Sequence, residues 1–292
     1  MGKECYIKSL LGYNILEENI KMSSNYDDWT DDPTAWEQVP CERCGCLPEN
    51  LTVIKIFPQR RFMFVECPKC RLRFYSPRLK QDERWIKNCF QNKESKAQAE
   101  ILFETATFGS IDDPQKQIAF TENYYAKRLG ICVARLGRYP KSIFEIGAGS
   151  GRLLTVAKRC YPGVFVSGCE PNPYSADICK EKFEIDIQKT IFSKAKVRGD
   201  AWDIVIGWNV IEHTFTPCKD IARMVRMLRS GGVLMLRTFF EEANILTNEY
   251  TDPISHQYHF FKDVLAGIIL DNGLSITVEL AESTIYVIGK KL

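Results

Sequence analysis

The chain has 292 residues, room for one large domain or two ordinary ones. Lys and Arg number 39 against 37 Asp and Glu, a formal charge of +2, with 45% hydrophobic and 26% charged residues. That profile excludes a wholly disordered chain and argues against a protein that holds nucleic acid by bulk positive charge. A chain of this length buries a core without disulfides, so its 12 cysteines against 3 histidines need another explanation.

No apolar run approaches the roughly 20 residues that span a bilayer. The first residues, MGKECYIKSLLGYN, lack the apolar core and small-residue cleavage site of a secretory signal. The expectation is a cytoplasmic protein with no membrane contact, in which paired cysteines hold metal rather than form disulfides.

Residues 1–38 show no periodicity and read as an N-terminal arm. Residues 39–80 carry the clustered cysteines. Cys41-x2-Cys44 and Cys67-x2-Cys70 are two knuckles, and four thiolates so arranged are the ligand set of a closed, structural zinc site. Such a site has no open position for substrate, so its expected role is in folding. Cys46 is a fifth sulfur beside a four-ligand site and reads as a bystander. Around the second knuckle, basic residues (Arg60, Arg61, Arg71, Arg73, Arg78) interleave with Phe62, Phe64, Phe74 and Tyr75. These fit either the alternating faces of a packed hairpin or a nucleic-acid surface, and the near-zero net charge favours the hairpin.

Residues 81–138 read as a helical connector or cap. The stretch 85–90 is apolar and basic, apolar residues recur at helical spacing over 124–136, and the stretch from Gly109 to Pro114 breaks the region into two pieces. From residue 139 the pattern alternates. Strands are expected at 142–146, 164–166, 203–206 and 233–236, with a weak one at 184–187. Helices are expected at 152–160, 174–182, 221–228 and 261–270. The strands at 275–280 and 284–288 have almost no loop between them, hence an antiparallel hairpin. This predicts an α/β fold: a mostly parallel Rossmann-like sheet ending in an antiparallel hairpin, occupying 139–292.

Gly147, Gly149 and Gly151 follow the first core strand and open a helix. Glycine lets the backbone turn sharply and approach a ligand, and the helix start offers free N–H groups. The spacing is GxGxG rather than the dinucleotide GxGxxG. Glu145, two residues ahead, disfavours a pyrophosphate but can receive a cationic ligand. Glu170 ends the next strand, where nucleoside-binding α/β folds place the acid that takes the ribose hydroxyls.

Together these residues resemble the class I S-adenosylmethionine (SAM)-dependent methyltransferases. Residues 202–213 are similar to the family's fourth strand with its trailing Glu-His, here Glu212-His213. Residues 228–236 are similar to its L-x-P-G-G turn, with Ser230 in place of proline. Residues 255–261, SHQYHFF, resemble the H-x-x-H-F-F segment of members that also carry an N-terminal zinc-ribbon-like module with four cysteine ligands. The resemblance implies a seven-stranded sheet, SAM as cofactor and a structural zinc. It implies that Gly147 and Gly149 line the methionine part, with Gly151 also in the cofactor site, and that Glu170 binds the ribose. Glu145, Pro171, Ile191 and Asn209 complete the implied cofactor site, with residues 190–192 flanking the adenine. It also makes the segment with Tyr124 and Tyr125 a candidate wall of the acceptor pocket. Asn172-Pro173-Tyr174 looks like the NPPY motif of nucleic-acid amino-methyltransferases, but it follows the second strand instead of the fourth and is given no catalytic meaning.

All three histidines fall in the core. His213 follows the fourth strand and reads as a general base or substrate contact, against a ring that merely packs beside the cofactor. His256 and His259 precede a helix, and the resemblance places this segment over the active-site mouth; one of them reads as a polar substrate contact in the catalytic site, against a helix-start or packing role that is the commoner one. Some relatives bind a divalent metal through Glu-x-x-Glu-His; here Asn209 replaces the first acid, so no catalytic metal is expected. The expected activity is methyl transfer from SAM to an O, N or C nucleophile of a small molecule (a metabolite, sugar or natural-product intermediate) by in-line displacement, with His213 as base. An RNA methyltransferase that holds its substrate on the basic zinc module, and a non-catalytic scaffold that keeps the SAM fold, are the alternatives.

Overall fold

A computed structural model describes residues 32–57, 62–106, 113–239, 256–281 and 284–292. Most of the expected arm, Arg60, Arg61, most of the stretch between Gly109 and Pro114, and Ser255 lie outside the described residues.

The central sheet is built from strands whose side chains are buried on both faces. In β6 (Ser142–Ile146) all five residues are buried, and β8 (Trp202–Trp208) is buried over all but its last residue. Such continuous apolar runs suit the interior of a parallel sheet. With β7 (Phe165–Cys169), β9 (Leu228–Phe239), β11 (Leu274–Ala281) and β12 (Thr284–Lys291), the order is β11-β12-β9-β8-β6-β7. The pairs β7–β6, β6–β8 and β8–β9 are parallel, while β9–β12 and β12–β11 are antiparallel. The expected Rossmann-like α/β fold with its terminal hairpin is present. The connecting helices are α4 (Arg152–Cys160), α5 (Pro173–Phe183), α6 (Pro217–Met227) and α7 (Lys262–Leu270).

The described sheet has six strands where the resemblance implied seven, because residues 184–187 form no strand. Helix α5 runs to Phe183 and closes with Glu184 in the left-handed region, φ 55°. That uses up the residues that would start a strand. The chain then meets β7 at a single bridge, Cys169 with Gln188, held by Gln188 N donating to Gly168 O and Glu170 N to Gln188 O, both 2.9 Å.

The connector is three helices: α1 (Glu83–Phe90), α2 (Lys93–Thr105) and α3 (Pro114–Leu136). Each begins at a side chain that accepts from an otherwise orphaned amide: Asp82 from Trp85 N at 3.0 Å, Asn92 from Ser95 N at 2.7 Å and Asp113 from Lys116 N at 3.1 Å. Helix α3 lays Leu129, Cys132 and Leu136 on one face of the central sheet, against Ile204, Ile206, Val233 and Met235.

The cysteine module has its own antiparallel sheet of β2 (Thr52–Phe57), β3 (Phe62–Glu66) and β4 (Arg73–Tyr75). Its fourth strand, β10 (Tyr258–His259), comes from the far end of the chain and gives the order β10-β4-β3-β2. Two short strands, β1 (Trp36–Glu37) and β5 (Arg78–Leu79), pair antiparallel as a separate ribbon. Phe62, Phe64, Phe74 and Tyr75 are buried. Arg73 pairs with Glu66 at 2.6 Å, Arg71 with Asp263 at 2.6 Å and the buried Arg78 with Glu37 at 3.1 Å. The aromatics are packed and these three arginines are ion-paired, as the hairpin reading expects. Sulfurs and aromatics of the module share one apolar cluster with Phe144, Ile146, Val205 and Leu236 of the core.

Glu42, inside the first knuckle, ties the two parts together. Its carboxylate accepts from Cys218 N at 2.7 Å and Lys219 N at 3.0 Å, capping the start of α6, where Thr216 makes no side-chain cap bond. Glu42→Ala should therefore destabilise the fold by about 1 kcal/mol, the usual worth of a helix cap, with all four knuckle sulfurs intact. The urea midpoint measures this, and an unchanged midpoint would show the cap to be idle.

Candidate cofactor and active site

At the carboxyl end of β6 the chain turns through Gly147 at φ +66°, Gly149 at φ +53° and Gly151 at φ +79°. Two of these glycines are also required by space. A Cβ on Gly147 would lie 2.4 Å from Val210 Cγ2, and one on Gly151 would lie 2.2 Å from Cys179 Sγ. Glu170, at the end of β7, reaches across to this loop. Its Oε2 accepts from Gly149 N at 2.9 Å and its Oε1 from Asn172 N at 2.8 Å. Glu145 lies beneath, 4% exposed, and its Oε2 has no hydrogen-bond partner among the described residues. Burial, then the charge of Glu170, push the Glu145 carboxyl well above its ordinary range. Burial pushes Glu170 up to about 7, against the pull of its two amide donors.

Pro171, Thr190 and Ile191 line a cavity of about 380 Å³ together with Glu83, Ile86 and Lys87 of α1. The connector closes over the loop as well. Asn172 caps α5 by accepting from Tyr174 N at 3.0 Å, and its amide donates to Ser95 O of α2 at 2.9 Å. That accounts for the residues of the NPPY look-alike. Arg152, just after Gly151, donates to Phe103 O and pairs with Glu122 of α3 at 3.2 Å.

Beyond β8, Asn209 takes φ +51° and its Oδ1 accepts from the Arg237 guanidinium. A short 3-10 turn, Ile211–His213, follows. The structure brings the three histidines together. The rings of His213 and His256 lie 4.7 Å apart and those of His256 and His259 6.5 Å apart. His259 in turn meets Phe64 at 4.9 Å and Tyr75 at 5.9 Å, so the row runs from the core into the cysteine module. Burial, then the neighbouring His213 and His259, push His256 down to about 3. Glu212, 2% exposed, has neither carboxylate oxygen hydrogen-bonded among the described residues. No group of three or more acidic, His or Cys ligand atoms gathers around it among the described residues; the four knuckle cysteines are the group found.

In the knuckles, the Sγ atoms of Cys41, Cys44, Cys67 and Cys70 all lie within 4.8 Å of one another. Cys41–Cys70 and Cys44–Cys67 are each separated by 3.4 Å. Sulfurs about 2.3 Å from a tetrahedral zinc stand about 3.8 Å apart, so the set is sized for that ion. Cys46 is buried but stands outside the four.

Two residues of this region went unnoticed in the sequence. Arg237 interrupts the apolar run of β9 near its carboxyl end, and Tyr286 stands opposite it on β12. A lone cation in a buried strand was the available signal.

A glycine turn at the carboxyl edge of a parallel sheet, with an acid closing the next strand, defines a nucleoside-cofactor α/β fold. The methyltransferase-domain family matches residues 118–278, more than half of the chain, and the chain belongs to that family as a class I SAM-dependent methyltransferase by fold. Among solved structures it is similar to magnesium protoporphyrin IX methyltransferase from Synechocystis PCC 6803 with bound S-adenosylhomocysteine (SAH). The identity is 15% over 72% of this chain and 100% of that one, with a TM-score of 0.54. A SAM-dependent methyltransferase from Thermotoga maritima shares 18% identity over 60% of this chain and 91% of that one, TM-score 0.46. No curated protein matches the chain.

The depressed His256 has a measurable consequence. Its unfolded value is near 6.5 and its folded value about 3, so between those limits the unfolded state binds the extra proton. Stability from this ring is complete above pH 6.5 and is lost as pH falls toward 3, by at most about 1.4 kcal/mol per pH unit. His256→Phe should flatten that part of the stability–pH curve in urea titrations. A slope identical to the wild type would show that the ring titrates normally in the fold.

Proposed function

We propose that the chain transfers the methyl group of SAM to a nucleophile on a small molecule, with His213 as general base. The observation that carries this reading is the meeting of two loops. Val210 packs on Gly147 of the glycine turn, and three residues further on His213 faces His256. That geometry supports His213 as the base: it stands at the carboxyl edge of β8, beside the turn that a nucleoside cofactor would occupy.

When bound, SAM supplies a methyl on a sulfonium, already activated for in-line displacement. The chain must hold the reactants and remove a proton from the nucleophile. Glu170 would hold the ribose, since its amide contacts leave a lone pair on each oxygen. Pro171 and Ile191 would flank the adenine in the cavity that α1 also lines, and Glu145 would sit beneath the methionine part. His213 would accept the nucleophile's proton. His256, held neutral by its burial, would present no second cation 4.7 Å from the His213 ring. The four knuckle sulfurs would hold a zinc with a structural role. The ion pairing of Arg71, Arg73 and Arg78 supports a small-molecule acceptor over RNA.

Calorimetric titration with SAH tests the cofactor half. Glu170→Ala should weaken binding by about 1–3 kcal/mol through lost charge-assisted hydrogen bonds, and unchanged affinity would remove Glu170 from the site. Methyl-labelled SAM tests the acceptor half: label should enter the small-molecule fraction of a cell extract, and label in RNA instead would favour the second class of acceptor. For the metal, Cys67→Ser should lower zinc content and melting temperature together. Full zinc occupancy in that variant would refute the ligand set.

A further inference from the structure

Trp208, Arg237 and Tyr286 lie side by side across β8, β9 and β12, in register. Helix α3 lowers Tyr124, Tyr125 and Arg128 onto this row. Tyr124 and Tyr125 meet the Trp208 ring at 5.8 and 5.0 Å, and the Arg128 guanidinium lies 3.9 Å over the Tyr286 ring. The Tyr124 and Tyr286 hydroxyls are hydrogen-bonded to each other.

Arg237 is aimed within this cage by neutral acceptors. Its Nε donates to the Tyr286 hydroxyl at 2.9 Å and its Nη1 to Asn209 Oδ1. Its guanidinium lies 5.3 Å from the Trp208 ring and 5.8 Å from Phe239. No carboxylate meets it among the described residues, and its Nη2 donates to none of their acceptors. The contrast with Arg73, Arg78, Arg138 and Arg152 is plain, since each of those meets a carboxylate. A guanidinium cannot shed its charge, and a half-buried cation with no counter-charge is costly. A planar fork whose Nη2 meets no acceptor among the described residues, held in place by its neighbours, matches a carboxylate or phosphate. Phe239, beside Arg237, also touches His256 at 5.7 Å, so the fork stands one ring away from the histidine row.

We propose that Arg237 is the specificity-determining residue for the methyl acceptor, and that the acceptor carries a carboxylate or phosphate that docks on its open fork while the nucleophile reaches the histidines. This deepens the small-molecule methyltransferase reading and rests on it.

The test titrates full-length protein, first with SAH and then, once saturated, with inorganic phosphate and with acetate separately. The wild type should bind at least one anion. Arg237→Gln should weaken that binding about tenfold or more, Arg237→Lys should restore part of it, and SAH affinity should change less than about threefold in both. Phosphate binding without acetate binding would mark a phosphorylated acceptor, and the reverse a carboxylic acid. The proposal is overturned if the wild type binds neither anion or if Arg237→Gln binds them equally well. It is also overturned if SAH affinity falls in step, for then the fork holds the cofactor's own carboxylate. Should Arg237→Gln fail to fold, Tyr286→Phe keeps the ring and removes the hydroxyl that aims Nε; unchanged anion affinity there overturns the proposal as well. Failure of the wild type to bind SAH would sink the methyltransferase reading, and with it the acceptor role of Arg237, but it is distinguishable from failure of the anion site, because the anion titration runs equally well on the cofactor-free protein.

Discussion

The peptide unit around Gln257 joins the two halves of this protein. Its N–H donates to Glu212 O at 2.7 Å, and its carbonyl accepts from Tyr75 N at 3.3 Å. One end of that link is the turn carrying His213; the other is β4 of the cysteine module. The next two residues continue as β10, pairing Tyr258 with Phe74 and His259 with Arg73. Arg78, buried, completes the joint by donating to Phe215 O at 3.1 Å and to the Tyr258 hydroxyl at 3.2 Å. The histidine row exists because of this pairing: His213 belongs to the core, His259 to the module's sheet, and His256 lies between them.

The cysteine cluster therefore bears on the site although it stands apart from it. If the knuckles loosen, β4 loses the turn that precedes it, and β10 loses its partner strand. Glu42 would also leave the start of α6, the helix that follows the His213 turn. Local order in one part is thus a condition for side-chain geometry in the other. A closed four-sulfur site has no chemistry of its own to offer substrate; its contribution reaches the site through the strand and the cap.

What could be read from the sequence was whatever depends on short-range pattern. The buried run of β6, the periodicity of Ile221, Met224 and Val225, and the hairpin of β11 and β12 all follow from spacing along the chain. The knuckles were legible for the same reason. Residues 184–187 misled because Ile185 and Ile187 alternate as a strand does, yet Glu184 is consumed in ending α5. Three other features needed contacts between distant residues. Two residues at 258–259 are too few to show a strand period, and their partner lies near residue 74. Glu42 reads as a knuckle spacer until Cys218 is seen beside it. Arg237 reads as a break in an apolar strand until Trp208, Asn209 and Tyr286 surround it.

Charge is distributed across the sheet in one direction, and this bears on which molecules the site can accept together. Glu145 and Glu170 are buried under the glycine turn at the β6–β7 end, with carboxyls raised by that burial. Arg128 and Arg237 lie at the β9–β12 end. Tyr125 stands between, its hydroxyl pushed up to about 12 by burial and by Glu145, with Arg237 pulling the other way. A cation arriving near Glu145 offsets the desolvation that raises its carboxyl, and an anion arriving at Arg237 supplies the counter-charge that the described residues do not. On the proposed reading, a cationic methyl donor and an anionic acceptor would each relieve an uncompensated group, on different strands of one sheet edge. Exchanging their places would bring a cation against Arg237 and leave both groups uncompensated. If the acceptor is an anion as proposed, the polarity of the buried groups would set the orientation of the reactants before any contact to the rest of either molecule is made.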